Sequence, residues 1–447
     1  MKRILRAEMW DKMQYLFRNY YDRMMHCVLY YDGHIDEEKF KRALAFQVDS
    51  APVLHSRYHN NFIKPYWVVQ PYKIDDVFSA ADTDDLEGSV MRFAEQRIPI
   101  DSNAQIRVGL FRCGTKRAVA FVVNHMCFDG GDLKYFVTQL ARNYTGLLAG
   151  DGNMTVKSGT RAYDAVYFGL SEEDKKKAKS LYRNISDVKT KHVFPLTERR
   201  EGDVNRIIKR KVAAEKFNAA RAAGKKLGFT VNDVMLAVYL RSLYELGVFR
   251  DGETLTVGDY TLQVIATPGH TPGQLCLWLG DLRRHMKQGG AETGLTNHTG
   301  FMNVTVDGVG RNMRETLDIV AAAMEKNKND RFLGLYSLPL LHLAYTILPH
   351  CVSEFAIKLG YNNPLIGMSN IGSIKPSDYA LGDVQPYDGF YTGAVKGKPY
   401  MQLALTTFGG EVTFTVAITG NEDDEKVVNR FFDIVEKNIG EVAKCAE

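Results

Sequence analysis

The chain has 447 residues, with 57 Lys and Arg against 53 Asp and Glu for a formal net charge of +4, and it is 45% hydrophobic and 25% charged. That length exceeds one ordinary core and suits two domains of about 200 residues each, while the near-balance of charge argues against a nucleic-acid partner. Cys27, Cys113, Cys127, Cys276, Cys351 and Cys445 are scattered with no C-x-x-C pair, which points to reduced thiols in a cytoplasmic protein, and the charged stretch from Met1 to Trp10 lacks the apolar core of a signal peptide.

Taken in order, residues 7–31 mix aromatics and methionines with charge, and Val28 to Tyr31 reads as a strand. Helical spacing of Phe40 and Leu44 predicts an amphipathic helix over 35–48, ended by Pro52. A strand at Tyr66 to Val69 and a helix from Leu86 to Arg97 follow. Ile106 to Arg112 and Ala118 to Val123 read as paired strands joined at Cys113-Gly114-Thr115, and Leu133 to Leu148 as a core-facing helix. Residues 150–205 turn polar and charged and are the expected domain boundary.

Beyond it, Arg206 to Val212 reads as a strand and Ala213 to Leu227 as a helix. Val231 to Tyr244 is a strongly apolar helix, with a cap expected near Asn232 or Asp233. Gly300 to Val306 is a strand, Arg314 to Asn327 a helix, and Leu333 to Cys351, interrupted by Pro339 and Pro349, a buried helix or helix pair rather than a membrane span. Strands at 366–374, 389–394, 401–407 and 412–418 lead to a closing helix, Glu422 to Lys444. The alternation in both halves predicts two α/β domains: residues 1–170, a linker at 171–205, and 206–447.

The stretch with chemistry is Val122 to Gly131. A buried strand delivers His125, and Asp129 and Gly130 follow with the spacing His-x-x-x-Asp-Gly. Imidazole titrates near neutrality, so a histidine aimed by a rigid strand end can take a proton from an attacking alcohol or amine. The glycines read as a turn where the backbone passes tightly, with Asp132 as N-cap of the next helix. Taken alone, such a pattern more often marks a packed core histidine beside a turn aspartate.

Further segments appear in a consistent order: Pro52-Val53-Leu54-His55-Ser56-Arg57-Tyr58, Ile106 to Arg112, Gly228 to Val234, Asp281-Leu282-Arg283-Arg284, Gly300-Phe301-Met302-Asn303 and Ser369-Asn370-Ile371-Gly372. With His125 to Gly130, this set resembles the condensation-domain and chloramphenicol-acetyltransferase superfamily, which includes wax ester synthases and alcohol acetyltransferases. The resemblance covers nearly the whole chain. It implies an α/β fold of two chloramphenicol-acetyltransferase-like halves in a V, with a tunnel between them and His125 at its middle.

The implied activity is acyl transfer from a thioester, on coenzyme A or on the phosphopantetheine of an acyl or peptidyl carrier protein, to an alcohol or amine. His125 is the implied base, and no bound cofactor is required. Asp129 is implied to hold the loop through an arginine, Arg57 or another, and Gly130 to shape it; Asn303, Ser369 and Asn370 are candidates for oxyanion or acceptor contacts. A non-catalytic relative that binds an acyl chain or a carrier protein is the alternative. The family's first motif histidine is replaced by Asn124, and Cys127 within the motif reads as a small packed residue.

Residues 252–280 depart from the family. Thr267-Pro268-Gly269-His270-Thr271-Pro272-Gly273 resembles a piece of the metallo-β-lactamase-like hydrolases, where such a histidine binds metal. The His-x-His-x-Asp-His motif that would supply the remaining ligands is missing. A protruding hairpin without metal, pairing Tyr260 to Ala266 with Gln274 to Leu279, is therefore expected, and a hydrolase built on His270 is the distant alternative.

Overall fold

The strands that flank the motif are apolar on both faces, and the fold accounts for this by covering both. The computed structural model describes residues 3–157, 159–181, 192–248, 273–278, 302–306, 309–328, 332, 335, 338–360 and 366–446. In chain order the first elements are β1 (Ile4–Arg6), α1 (Met9–Leu16), β2 (Met24–Asp32), α2 (Glu37–Asp49), β3 (Ser56–His59), β4 (Tyr66–Val69), β5 (Phe78–Asp82), α3 (Leu86–Ala94), β6 (Ile106–Cys113), β7 (Lys116–Asn124), α4 (Gly130–Leu148) and α5 (Glu172–Ser180). There follow β8 (Val204–Val212), α6 (Ala214–Lys226), α7 (Val231–Glu245), β9 (Gly273–Trp278), β10 (Met302–Val306), α8 (Met313–Lys328), α9 (Leu338–Ile347), α10 (His350–Gly360), β11 (Ile366–Ile374), β12 (Pro386–Thr392), β13 (Lys396–Gly397), β14 (Met401–Phe408), β15 (Glu411–Gly420) and α11 (Glu422–Lys444).

The first large sheet has the order β12-β2-β7-β6-β5, with β7 at its centre. Successive side chains of a strand point to opposite faces. Val119, Phe121 and Val123 accordingly enter one core with residues of α2 and α4, while Ala118, Ala120 and Val122 enter another with Val90 and Phe93 of α3. A strand sandwiched in this way has no polar face, which explains the unbroken apolar run. The second sheet runs β10-β9-β11-β14-β15-β13, with β8 also paired to β15. Its core takes in α7, α8 and α11, so α7 is buried from Val234 to Leu240 without interruption. A three-stranded sheet, β1-β4-β3, sits apart from both.

Several expectations need correction. The division at residue 206 assigns Pro386–Thr392 to the second half, yet β12 pairs with β2 and forms an edge of the first sheet. The approach is close: a Cβ on Gly389 would lie 2.7 Å from Leu29 Cδ2 and 3.0 Å from the Val28 carbonyl oxygen, so only glycine fits. The polar segment after residue 150 holds a helix, α5, capped by Ser171. The cap of α7 is Thr230, with Asp233 reciprocating from the third helical position.

Residues 273–278 do not protrude from the fold. They form β9, antiparallel to β10 and parallel to β11, within the main sheet. The expected partner arm, Tyr260 to Ala266, and His270 lie outside the described residues, as does Asp281 to Arg284. The apolar stretch after residue 333 is a helix pair, α9 and α10, but it is only half buried. Leu338 and Tyr345 pack with Met9, Trp10 and Leu16 around α1, while Leu340, Leu343, Ile347 and Phe355 are exposed. No helix of the described residues is long and apolar enough to cross a membrane.

Candidate active site

The loop that carries His125 is tied down on every side. The His125 N–H donates to the Arg23 carbonyl oxygen at 2.8 Å, fixing the end of β7 to the start of β2. Arg23 holds a positive φ of 63°, uncommon for a side chain of this kind, and its buried guanidinium lies 3.0 Å from Met126 Sδ. Asn124, where the family motif often has a first histidine, is structural. Its amide donates to Gln105 Oε1 at 2.7 Å, and its Oδ1 accepts from the Met126 N–H at 3.0 Å.

Asp129, not Asp132, caps α4. Asp129 Oδ1 accepts from the Asp132 N–H at 2.8 Å, and Asp132 Oδ2 accepts from the Asp129 N–H at 3.0 Å, closing a reciprocal box on two otherwise orphaned donors. The helix therefore starts at Gly130, three residues before the predicted start. Gly130 is not a point of tight backbone passage: a Cβ there would meet nothing within 4 Å. It lines the cavity in front of His125 and leaves the positive end of α4 uncovered there.

Arg57 is not at the site. It lies on β3 of the small sheet, half exposed, 3.6 Å from Asp101. The arginine that holds the motif loop is Arg161, which the sequence reading missed. It donates to the carbonyl oxygens of Cys127 and Met126, the latter at 3.2 Å, and pairs with Asp11 of α1. Asp11 is fully buried and also accepts from Trp67 Nε1 at 2.9 Å and from the Glu8 N–H at 3.1 Å. Burial raises the pKa of this carboxyl, and Arg161 and the Trp67 and Glu8 donors act against that rise. Nothing in the polar stretch around residue 161 signalled this role.

Cys127 is buried, its thiol directed at the Val53 carbonyl oxygen at 3.6 Å, and burial pushes its pKa well up. It is a packed residue, not a nucleophile.

His125 opens onto a cavity of about 320 Å³ at the junction of the two halves. The first half supplies His125, His26, Gly130 and Lys134; β11 supplies Ser369, Asn370 and Ile371; Tyr391 and Lys396 close it from β12 and β13. Of the candidates for polar contacts, Ser369 lines the cavity. Asn370 does too, but its side chain is already spent: Nδ2 donates to Asn232 Oδ1 at 2.6 Å, and Oδ1 accepts from the Gly372 N–H at 2.9 Å. Asn303 lies on β10, its backbone opposite Cys276 of β9.

Burial, helped by the positive charge of Lys396, holds the pKa of His125 down at about 4. Burial does the same to His26, also to about 4. Both rings are therefore uncharged at neutral pH, and His125 is in the form that can accept a proton. Lys134 is likewise shifted down by burial, and its ammonium donates to the Ile371 carbonyl oxygen across the cavity wall. That carbonyl sits in a bulge of β11 between Asn370 and Gly372, where Gly372 adopts φ 90°. Lys134 had a legible signal: four residues after Gly130 on a helix, it shares the face that lines the cavity. His26 and Lys396 had none, since each is brought in by strand pairing.

The condensation-domain family model matches residues 10–251, more than half of the 447. No curated protein matches the chain in sequence. Among solved structures, the epimerization domain from the third module of tyrocidine synthetase B is similar at a TM-score of 0.66 and 11% identity, over 100% of this chain and 97% of that one. Polyketide synthase associated protein 5 from Mycobacterium tuberculosis gives 0.66 and 13%, over 99% and 100%. The wax ester synthase/diacylglycerol acyltransferase from Marinobacter aquaeolei VT8 gives 0.54 and 14%, over 99% of each. At these identities the likeness is one of fold: an α/β pair of chloramphenicol-acetyltransferase-like halves.

Proposed function

Because the chain belongs to the condensation-domain family, whose work is of the condensation or acyl-transfer kind, we propose that it moves an acyl group from a thioester to an alcohol or amine, with His125 as general base. The observation that carries this reading is a neutral, buried imidazole at a rigid strand end, opening onto the cavity between the halves. His125 takes the proton of the acceptor as its oxygen or nitrogen attacks the thioester carbon. The C–S bond breaks, the new C–O or C–N bond forms, and the proton leaves on the released thiol. The positive end of α4 at Gly130 supports the negative charge that develops on the carbonyl oxygen. No step calls for a metal, a redox cofactor or a covalent enzyme intermediate.

The donor is an acyl-CoA or an acyl group on the pantetheine arm of a carrier protein, and the setting is the cytoplasm. The test incubates the protein with a panel of acyl-CoAs and carrier-loaded acyl groups against candidate alcohols and amines, following free thiol and product mass. Turnover is expected, and His125→Ala should lower it by at least about 10² while leaving the fold intact. Thiol release from no donor, on coenzyme A or carrier, would favour the non-catalytic acyl-binding alternative and overturn the proposal.

A further inference from the structure

We infer that the acceptor carries a carboxylate, held by the ammonium of Lys134; this rests on the acyl-transfer reading of the same cavity. Lys134 Nζ donates to the Ile371 carbonyl oxygen and lies 5.7 Å from the centre of the Tyr391 ring. The charged groups that act on it among the described residues include no carboxylate. An ammonium that is mostly buried and, among the described residues, compensated by a carbonyl dipole and a ring face bears a desolvation cost that an incoming anion relieves.

Of the other charged side chains described in the cavity lining, Lys396 has the same sign and Asp129 the opposite one. Lys396 also lines the cavity, with its Nζ 3.9 Å from the centre of the Tyr21 ring. The positive end of α4 faces it at Gly130. Asp129, the carboxylate among its lining residues, is committed to the helix cap. Positive groups recessed between protein walls act on an anion more strongly than they would in bulk solvent.

An anion can come from either substrate. The phosphate of a pantetheine thioester is separated from the reacting carbonyl by the whole length of the arm, too far to share about 320 Å³ with it. A carboxylate close to the attacking hydroxyl or amine fits beside His125, so the acceptor class is a short hydroxy acid or amino acid. The carboxylate takes no part in bond making. It anchors the acceptor so that its nucleophilic atom is presented to the imidazole.

The test measures binding by calorimetry for lactate and β-alanine against their methyl esters, and for phosphopantetheine against pantetheine, with the intact protein. Binding needs no turnover, so the result is readable even if acyl transfer itself fails. The wild type should bind each acid about tenfold more tightly than its ester, Lys134→Met should lose that difference, and Lys134→Arg should keep most of it. Circular dichroism and melting of each variant confirm folding, and the wild-type ratio tests the inference without any variant. Equal binding of acid and ester, binding of no acid, or a preference that survives in Lys134→Met overturns it. A phosphate preference lost in Lys134→Met, with acid and ester indistinguishable, gives the ammonium to the donor and overturns it as well.

Discussion

His125 must be deprotonated to act as a base, and burial together with Lys396 keeps it so down to about pH 4. The rate should therefore be level through the neutral range, with kcat/KM falling only as pH drops through about 4; an acid limb centred at the ordinary histidine value of 6.5 would point to another group as the base. His26 supplies a stability prediction from the same physics. The unfolded chain binds a proton near 6.5 but the folded ring not until about 4, so folding loses stability as pH falls through that interval. Asp22, whose carboxyl burial raises to about 6, acts in the opposite sense over part of the range and partly masks this. His26→Leu leaves Asp22 in place. The loss of unfolding free energy between about pH 7 and pH 5 should then be smaller in this variant by about 2 kcal/mol in urea titrations. An unchanged loss would mean that His26 is hydrated in solution.

At the scale of elements, the site is a joint between β7 and α4, and it is held from outside by α1. Arg161 bridges Asp11 of α1 to the two carbonyls that precede the cap of α4. Arg161→Met should cost on the order of 3–5 kcal/mol, because it strands a buried carboxylate and two loop carbonyls together. Chemical denaturation measures the loss, and Arg161→Lys should recover part of it. A methionine variant as stable as the wild type would show that the loop holds itself through the Asp129–Asp132 box alone. The cap of α4 was misplaced because Asp132, followed at once by Leu133, carries the same signature as Asp129. What separates the two candidates is the reciprocal contact, and that depends on backbone direction after His125.

For the molecule as a whole, β12 is the consequential element. It leaves the second half, becomes an edge of the first sheet beside β2, and carries Tyr391 into the cavity wall. Ile374, Tyr379, Leu381 and Phe408 also enter the first core. The first half is therefore incomplete on its own. Residues 1–205 expressed alone should fail to give a cooperative unfolding transition, since β2 would expose a bare edge and the core would lose those side chains. Recovery of a folded species on co-expression with 206–447, but not without it, is the expected outcome. A stable, monomeric 1–205 fragment would show that the second half contributes little to that core.

Sequence alone determined the elements whose pattern is local. The strand-length apolar runs of β6 and β7, the helical spacing in α2 and α11, and the His-x-x-x-Asp-Gly stretch of residues 125–130 all follow from side chains within one turn or strand of each other. They were enough to reach the α/β class and two domains, while His125 as the candidate base came with the ordered set of segments that resembles the condensation-domain superfamily. Tertiary structure decided everything that depends on residues distant in the chain. It set Arg161 rather than Arg57 on the motif loop, 35 residues from Met126, and it put Lys134 against Ile371, 237 residues away. It also drew Gly273–Trp278 into the main sheet, where the local turn chemistry had suggested a free hairpin. An ion pair or a strand register has no periodic trace in sequence, because its energy comes from desolvation and pairing that exist only once the chain has folded back on itself.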